Sequence, residues 1–309
     1  MQIEKAIVIV NKTRLENLIE RFNTKAQAKF YIEHAGGDFG DYEREHEIFH
    51  ASLEAVKKTV QHHFKMKVVE RAFITNFLFA KDDLVVVVGQ DGLVANAAKY
   101  VNGLPMLAIN PDEKRYDGVL LPFNTTNYET GLQNVLTGKG RFQEITLAEA
   151  RTNDGQRLLA FNDLFIGPAT HASARYRITH AGRSEQQSSS GIIVSTGAGS
   201  TGWLSSVMNM TNGVTAVFGK FAKSNVSLAL PWNTDALAYV VREPFQSKHS
   251  GISLSGGLIH SGERLSIESY MPSSGVIFSD GIESDYIQFN SGTKVEIATA
   301  SQKAVLILK

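Results

Sequence analysis

The chain has 309 residues, of which 43% are apolar, and its 31 Lys plus Arg residues balance its 31 Asp plus Glu residues. This length accommodates two domains, the apolar fraction excludes a disordered chain, and the charge balance excludes a global field that attracts nucleic acid or membranes. The sequence contains no cysteine, which excludes disulfides, thiolate zinc sites and a cysteine nucleophile. Because no signal peptide, transit peptide or membrane span is predicted, we expect a cytoplasmic protein.

The first third of the chain alternates predicted strands with predicted helices. Apolar residues at helical spacing extend from Leu15 to Phe30, before Gly36-Gly37, and a clearer apolar stripe runs from Phe49 to Phe64. Short apolar runs rich in β-branched residues predict strands at 6–10, 66–72, 83–89 and 105–110. This alternation predicts an α/β N-terminal domain, an open parallel sheet with crossover helices.

The pattern changes near Pro122, where short strands separated by Gly, Ser and Asn begin. Turns at Asn153–Gly155 and Ala181-Gly182 predict hairpins, and the rest indicates a mostly antiparallel β domain. We therefore predict an α/β domain over 1–122 and a β-rich domain over 123–309. The C-terminal run AVLILK is expected to pack back onto the first domain.

One candidate site lies in VVVVGQDGL (85–93), where a predicted buried strand runs into a glycine-containing loop and a helix. Ligands bind at the carboxyl edge of open α/β sheets, and the free amides of such a loop suit phosphate oxygens. A carboxylate there, that of Asp91, would ligate a metal or accept a proton from an attacking hydroxyl. The alternative is that Asp91 only caps the next helix, which is the commoner role of an isolated aspartate at this place.

A second candidate is STGAGSTGW (195–203), which contains the G-x-G-x-x-G spacing of a dinucleotide-binding turn. That interpretation requires a parallel βαβ unit and an acidic residue about 20 positions further on. Here the turn follows hairpins and the next acid is Asp235, so a Rossmann turn is excluded. The alternatives are a tight strand-to-helix turn, or a polar ligand bound by the hydroxyls of Ser195, Thr196, Ser200 and Thr201.

Two weaker candidates remain. Asn162 and Asp163 interrupt an apolar segment, AFNDLFIG, which indicates either a ligand with ribose hydroxyls or a capped strand end. His46 and His50 share a helix face at i, i+4, but no third metal ligand is evident, so a solvated helix surface is expected.

Taken together and in this order, the three segments resemble the NAD kinase family, especially its mitochondrial-type branch. VVVVGQDGL resembles the family's Gly-Gly-Asp-Gly loop, AFNDLFIG its Asn-Glu motif, and STGAGSTGW its Ser-Thr-x-x-Gly-Ser-Thr-Ala-Tyr segment. Lesser matches are NKTRLENL, SARYRIT, SSSG and VREPF, so the resemblance covers nearly the whole chain.

The resemblance implies transfer of the terminal phosphoryl group of ATP to the adenosine 2′-hydroxyl of NAD, giving NADP. Asp91 would be the catalytic base, Mg²⁺ would bridge the donor phosphates, and Gly89, Gln90 and Gly92 would hold donor oxygens. The residues implied to bind NAD are Asn162, Asp163, Ser195, Thr196, Ser200, Thr201 and Trp203. The resemblance also implies a homodimer or homotetramer.

The chain departs from the family motifs at several positions. Gln90 replaces the second loop glycine, Leu93 the usual Thr, Asp163 the motif glutamate, and Trp203 the usual Tyr, while Ser190 stands where bacterial relatives commonly have an aspartate. Two other functions stay open: a related lipid or sugar kinase, which has no use for the Asn162-Asp163 motif, and a non-catalytic NAD-binding protein in which Gln90 blocks transfer.

Overall fold

The computed structural model describes residues 3–219 and 225–309. The chain forms two compact units. The first consists of Met1–Gln143 and Val305–Lys309, and the second of Glu144–Ala304.

The first unit is built on a parallel sheet with the strand order β2-β1-β3-β4. Its elements are β1 (Lys5–Val10), α1 (Arg14–Phe22), α2 (Lys25–His34), α3 (Phe39–His63), β2 (Lys65–Glu70), β3 (Asp83–Val88), α4 (Asp91–Ala98), β4 (Pro105–Asn110), β5 (Phe123–Asn124) and α5 (Tyr128–Leu136). The predicted α/β architecture is thus confirmed.

Burial explains the sequence of the central strands. Every residue of β3 is buried, and in β1 burial extends from Ala6 to Val10, because both strands have a paired strand on each side and packed layers above and below. Leu53, Val56 and Val60 of α3 belong to the same core cluster, so the stripe predicted from sequence is the face that packs on the sheet.

The helical segment before Gly36-Gly37 differs from the sequence prediction, because it contains two helices instead of one. Asn23 has a left-handed φ of 64° at the end of α1, and the hydroxyl of Thr24 accepts a hydrogen bond from the amide of Gln27 at the start of α2. The short polar pair therefore ends one helix and caps the next.

The second unit is a β structure with one long helix. Its elements are β6 (Arg141–Thr152, which begins in the first unit), β7 (Arg157–Ala160), β8 (Asp163–Pro168), β9 (Ala174–His180), β10 (Arg183–Ser189), β11 (Ile192–Ser195), α6 (Trp203–Phe218), β12 (Ala236–Val241), β13 (Gly256–His260), β14 (Leu265–Ser269), β15 (Gly275–Ser279), β16 (Ile282–Gln288) and β17 (Lys294–Leu308).

Two antiparallel arrangements make up this unit. One is a six-stranded sheet with the order β13-β12-β11-β8-β15-β16, and the other pairs β10, β9, β14 and β17 in that order. Their apolar side chains share one core cluster, in which Ile166 and Val194 of the first arrangement join Tyr176 and Ile267 of the second. The mostly antiparallel β domain predicted from sequence is confirmed.

The compact units divide at Gln143, beyond the division near Pro122 that composition predicts. The first unit extends further because β5 pairs with β4 and because Tyr128 and Leu132 of α5 lie in its core cluster. Residues 305–309 also belong to the first unit, where Val305 and Leu306 pair with β4. Among the described residues, no helix is long and apolar enough to cross a membrane.

Candidate functional site

The first unit has a cavity at the point where its strand order reverses. From β1 the chain passes through α1–α3 to β2 on one side, and then to β3 on the other side of β1. The segments that follow β1 and β3 therefore diverge, which opens a crevice at the carboxyl edge of the sheet. A cavity of about 390 Å³ lies there, and Asn11, Lys12, Gly89 and Gln90 are among its lining residues.

Fixed positive charges face this cavity, which we call the switch-point cavity. Arg14 and Arg115 line it together with Lys12. A guanidinium nitrogen of Arg14 lies 2.7 Å from one carboxylate oxygen of Asp41, and a nitrogen of Arg115 lies 2.5 Å from the other. Hydrogen bonds from Arg115 and Arg14 hold the pKa of Asp41 well below its usual range. The two guanidinium groups are thereby held at the wall of the cavity, each paired with the carboxylates of Asp41 and Glu45.

Asp91 is the first residue of α4, and its side chain does not cap that helix. Its Oδ1 accepts a hydrogen bond of 2.6 Å from the amide of Leu120, and its Oδ2 accepts one of 3.2 Å from the amide of Gly118. The residue in the N-cap position is Gln90, which makes no side-chain capping bond. The carboxylate is therefore oriented by a neighbouring loop, and lone pairs on both oxygens stay available for a further donor.

The residues around Asp91 lie in different environments, which explain why each residue type occurs there. A Cβ on Gly92 would meet nothing within 4 Å, so its backbone is open to an approaching ligand. A Cβ on Gly89 would lie 2.9 Å from Cδ2 of Leu93, whose side chain is buried. Leu93, which stands at the family's threonine position, therefore belongs to the core. Gln90 is exposed and lines the switch-point cavity.

The second unit brings the other two predicted segments together. Strands β8 and β11 are antiparallel neighbours in which Ser195 pairs directly with Asp163. The amide of Thr196 donates a hydrogen bond of 2.9 Å to the carbonyl oxygen of Asn162. The Asn162-Asp163 segment and the turn at 195–203 therefore form one site, although they are far apart in sequence. The antiparallel pairing also confirms that this turn is not of the Rossmann type.

The predicted hydroxyl residues divide into internal and accessible ones. Thr196 Oγ1 donates to the carbonyl oxygen of Phe161 at 2.6 Å, and Ser200 Oγ donates to that of Gly197 at 2.7 Å. Ser195 is also fully buried and donates to a backbone carbonyl. These three hydroxyls hold the turn in shape, whereas Thr201 is exposed and Trp203 is partly exposed.

Close backbone approach explains the first glycines of the turn. A Cβ on Gly199 would lie 2.1 Å from the carbonyl oxygen of Asn162, and a Cβ on Gly197 would lie 2.1 Å from that of Pro231. Neither position can hold a side chain unless the backbone moves. The glycines therefore let the turn pack against Asn162, as the alternative of a tight strand-to-helix turn predicts.

Sequence reasoning missed Asp280, which organises this site. Its carboxylate accepts hydrogen bonds from the amides of Phe161 at 3.1 Å, Asn162 at 2.6 Å and Asp163 at 3.3 Å. Asp280-Gly281 is the turn between β15 and β16, and both residues have positive φ. The Asp-Gly pair signals a hairpin turn, but no sequence pattern signals that the aspartate side chain reaches residues 161–163.

Asp163 is buried, and its carboxylate lies close enough to that of Asp280 to be affected by its charge. Burial and, to a lesser extent, the charge of Asp280 raise the pKa of Asp163 to about 7. The side chain of Asn162 is partly exposed next to it. An almost buried carboxylate with a raised pKa is a characteristic of ligand-binding sites.

An aromatic cavity of the second unit includes Trp203, the last residue of the turn at 195–203. Phe165 is stacked on Trp203 with 5.7 Å between ring centroids, and the guanidinium of Arg242 lies 5.5 Å from the Trp203 centroid. These residues and Phe278 line a cavity of about 920 Å³. Its size and its aromatic walls suit a planar ring system carried by a polar ligand.

Comparisons with known proteins are consistent with this architecture. No family model matches the chain. A probable NADH kinase of Oryza sativa subsp. japonica is 26% identical over 223 residues, which cover 64% of this chain. The matched region spans 63% of the rice protein, less than two thirds of its length.

Solved structures of the same fold cover almost the whole chain. The crystal structure of yeast NADH kinase complexed with NADH superposes with a TM-score of 0.60 at 15% identity, covering 99% of this chain and 84% of that one. An NAD kinase from Archaeoglobus fulgidus in complex with ATP has a TM-score of 0.57 at 14% identity, covering 97% and 92%. The chain shares the fold of these kinases, and the resemblance to the NAD kinase family is confirmed.

Proposed function

We propose that this chain is an NAD kinase, which transfers the terminal phosphoryl group of ATP to the adenosine 2′-hydroxyl of NAD. The observation that carries the proposal is the placement of Asp91. It lies after the central strand β3, directly after Gly89 and Gln90 of the switch-point cavity, and backbone amides of Gly118 and Leu120 orient it. The resemblance to NAD and NADH kinases supports the choice of substrate.

The switch-point cavity is assigned to the ATP phosphates. Lys12, Arg14 and Arg115 line it and would face the triphosphate, and Gly89 and Gln90 of the loop before α4 line it as well. Phosphate oxygens at the start of α4 would meet its free amides, where the helix dipole favours negative charge. The archaeal neighbour of the same fold is a complex with ATP, which supports this donor.

The second unit is assigned to NAD. Asn162 and Asp163 would bind ribose hydroxyls, because a buried carboxylate is stabilised by hydrogen bonds from such donors. Thr201 and Trp203 are accessible for direct contact, while Ser195, Thr196 and Ser200 fix the turn that carries them. The aromatic cavity at Phe165 and Trp203 would hold a ring of the dinucleotide.

Phosphoryl transfer depends on positioning and on charge neutralisation more than on covalent help from the protein. Asp91 accepts the proton of the 2′-hydroxyl of NAD, while the oxygen of that hydroxyl forms a bond to the terminal phosphorus of ATP. The bond from that phosphorus to the bridging oxygen breaks, and ADP leaves with the electron pair. Lys12, Arg14 and Arg115 stabilise the charge that develops on the leaving phosphates.

The residues at this site fit a Mg²⁺ ion that enters with the nucleotide. Glu45, a carboxylate that lines the cavity, is occupied by Arg14, and both oxygens of Asp91 already accept amide hydrogen bonds. The nucleotide phosphates and water would therefore supply most ligands, as is usual for Mg²⁺ in phosphoryl transfer. When bound, the ion neutralises phosphate charge.

Incubation of the purified protein with ATP, Mg²⁺ and either NAD or NADH tests the proposal. We expect NADP or NADPH to form, and the ratio of the two rates gives the substrate preference. If the protein binds NAD without forming product, it is a non-catalytic NAD-binding protein. If it consumes ATP only with a lipid or sugar acceptor, it is a kinase of that related class.

We also propose a homodimer or homotetramer in the cytoplasm, as the resemblance implies. Light scattering coupled to size-exclusion chromatography measures the mass of the assembly, and a monomer at micromolar concentration contradicts this proposal. Fractionation of cells that express the full gene tests the location.

A further inference from the structure

Three potential metal ligands from two helices meet at the surface of the first unit. His46 and His50 lie one turn apart on α3, and Glu16 of α1 lies opposite them. One ligand atom from each residue can be chosen so that all three lie within 4.8 Å of one another. The sequence predicts only a solvated helix face for the two histidines, because the third ligand comes from a distant segment.

The spacing of Glu16 and His50 matches that of two ligands on one ion. The Nε2 atom of His50 lies 3.1 Å from Oε1 of Glu16. Two ligands at zinc–nitrogen and zinc–oxygen bond lengths are about 3.0–3.4 Å apart in tetrahedral or octahedral geometry. An ion can thus replace the hydrogen bond between them with little movement of either side chain.

Thr13 orients the other parts of this group. Its amide donates a hydrogen bond of 2.7 Å to Oε2 of Glu16, which leaves Oε1 directed at His50. Its hydroxyl lies 3.0 Å from Nδ1 of His46, so that ring is also held in place. Outer hydrogen bonds of this kind fix the ligands of known metal sites.

The surroundings of this group also suit a cation. Arg14, the closest cationic side chain in sequence, is paired with Asp41 and Glu45. All three ligand residues are partly exposed, so an ion can enter from solvent.

We propose that Glu16, His46 and His50 form a binding site for a divalent transition metal ion, with zinc as the best match. Two imidazoles and one carboxylate are a donor set that zinc prefers, with a water molecule in the fourth position. The bound ion joins α1 to α3. It also fixes Thr13, which lines the switch-point cavity, so metal binding stabilises one wall of that cavity.

Titration of the untagged, EDTA-dialysed protein with ZnCl₂ or CoCl₂ tests this site. We expect one equivalent of Co²⁺ to give the visible absorption of a nitrogen- and oxygen-coordinated ion. We expect Zn²⁺ at about a hundredfold excess over its Kd to raise Tm by about 5 °C or more. Both effects should be lost in His50→Ala and weakened in Glu16→Gln, since Gln at this position retains the capping bond with Thr13.

The matched control is the double variant His62→Ala, His63→Ala, which removes two exposed histidines from the end of the same helix. It should bind Co²⁺ and respond to Zn²⁺ like the parent protein. Loss of the response in this control, or an unchanged response in His50→Ala, would place the metal elsewhere and overturn the proposal. No absorption and no Tm shift in the parent protein would also overturn it.

Discussion

Asp91 differs from an ordinary helix-capping aspartate in the partners of its side chain. Its carboxylate is held by amides of the loop at Gly118 and Leu120 and not by the first turn of α4. A catalytic base must be fixed in this manner, because proton transfer requires hydrogen-bond distance to the substrate hydroxyl.

We predict that Asp91→Asn lowers kcat by about 10²–10⁴ while leaving the Kd for NAD nearly unchanged, because the amide cannot accept the proton. Steady-state kinetics and NAD titration measure the two quantities. Asp117→Asn, an exposed aspartate next to Gly118 in the same loop, is the control and should keep full activity. An unchanged kcat for Asp91→Asn, with loss of stability alone, would make Asp91 a structural residue.

Substitution of Asp163 should change the KM for NAD and leave the KM for ATP unchanged. We predict that Asp163→Ala raises the KM for NAD about ten- to a hundred-fold, since a hydrogen bond to a charged group contributes about 1.5–3 kcal/mol. The KM for ATP should hardly change. Asp163→Glu, which restores the family's usual residue, should be tolerated if the site has room for one more methylene. A variant that weakens ATP and spares NAD would reverse the assignment of the two sites.

The environment of Asp163 also predicts a pH dependence of stability. Its pKa of about 7 in the folded protein lies above the ordinary value of 3.8. The protonated side chain therefore contributes stability that is fully present below about pH 4 and is lost as the pH rises through 7, by up to about 4 kcal/mol. Asp163→Asn, which stays neutral, should lack this loss and be more stable than the parent protein at pH 8.

Urea unfolding of both proteins from pH 5 to pH 8 measures this difference. The gap between the two free energies of unfolding should widen with pH, whereas the exposed control Asp117→Asn should follow the parent protein. Parallel curves for Asp163→Asn and the parent would show that Asp163 is ionised throughout this range.

At the scale of elements, local sequence patterns predicted the strands, helix faces and hairpins whose formation depends on neighbouring residues. The buried strand β3, the apolar face of α3 and the hairpin at Ala181-Gly182 follow from burial period and turn chemistry, and the structure contains all of them. The break at Asn23-Thr24 was missed because the apolar spacing continues across it.

Sequence patterns could not predict the contacts between segments that are distant in the sequence. The bonds from Asp280 to residues 161–163 and the meeting of Glu16 with His50 depend on which elements become neighbours. The motif order predicted that Asn162-Asp163 and the turn at 195–203 serve one substrate. It could not show that Ser195, Thr196 and Ser200 are internal, because burial of a hydroxyl is decided by packing.

The turn at 195–203 supplies a prediction at this scale. Gly199→Ala should destabilise the protein by about 1–3 kcal/mol and weaken NAD binding, because its Cβ would lie 2.1 Å from the carbonyl oxygen of Asn162. Gly213→Ala in α6 is the matched control. Its Cβ meets nothing within 4 Å, and alanine favours a helix interior, so this variant should be as stable as the parent or more stable. Equal stability of both variants would contradict the packing explanation.

At the scale of the whole molecule, the path of the chain decides which residues belong to each unit, and composition alone does not. The first unit contains residues from both ends of the chain, since Val305–Lys309 belong to it. Composition identifies the change near Pro122 from alternating strands and helices to short strands, but it does not show that β5 and α5 complete the first unit. The final strand β17 contributes its earlier residues to the second unit and its last ones to the first.

This chain path predicts the effect of a short C-terminal truncation. Leu306 and Ile307 are fully buried, and Val305 and Leu306 pair with β4. Ending the chain at Ala304 should cost the first unit about 3–6 kcal/mol, at about 1.5–3 kcal/mol for each fully buried aliphatic side chain. Calorimetry should then show a lower Tm, and limited proteolysis should cleave within residues 1–143 before it cleaves the second unit. Removal of the exposed Lys309 alone is the control and should change neither measurement. An unchanged Tm after truncation at Ala304 would mean that the first unit folds without residues 305–309.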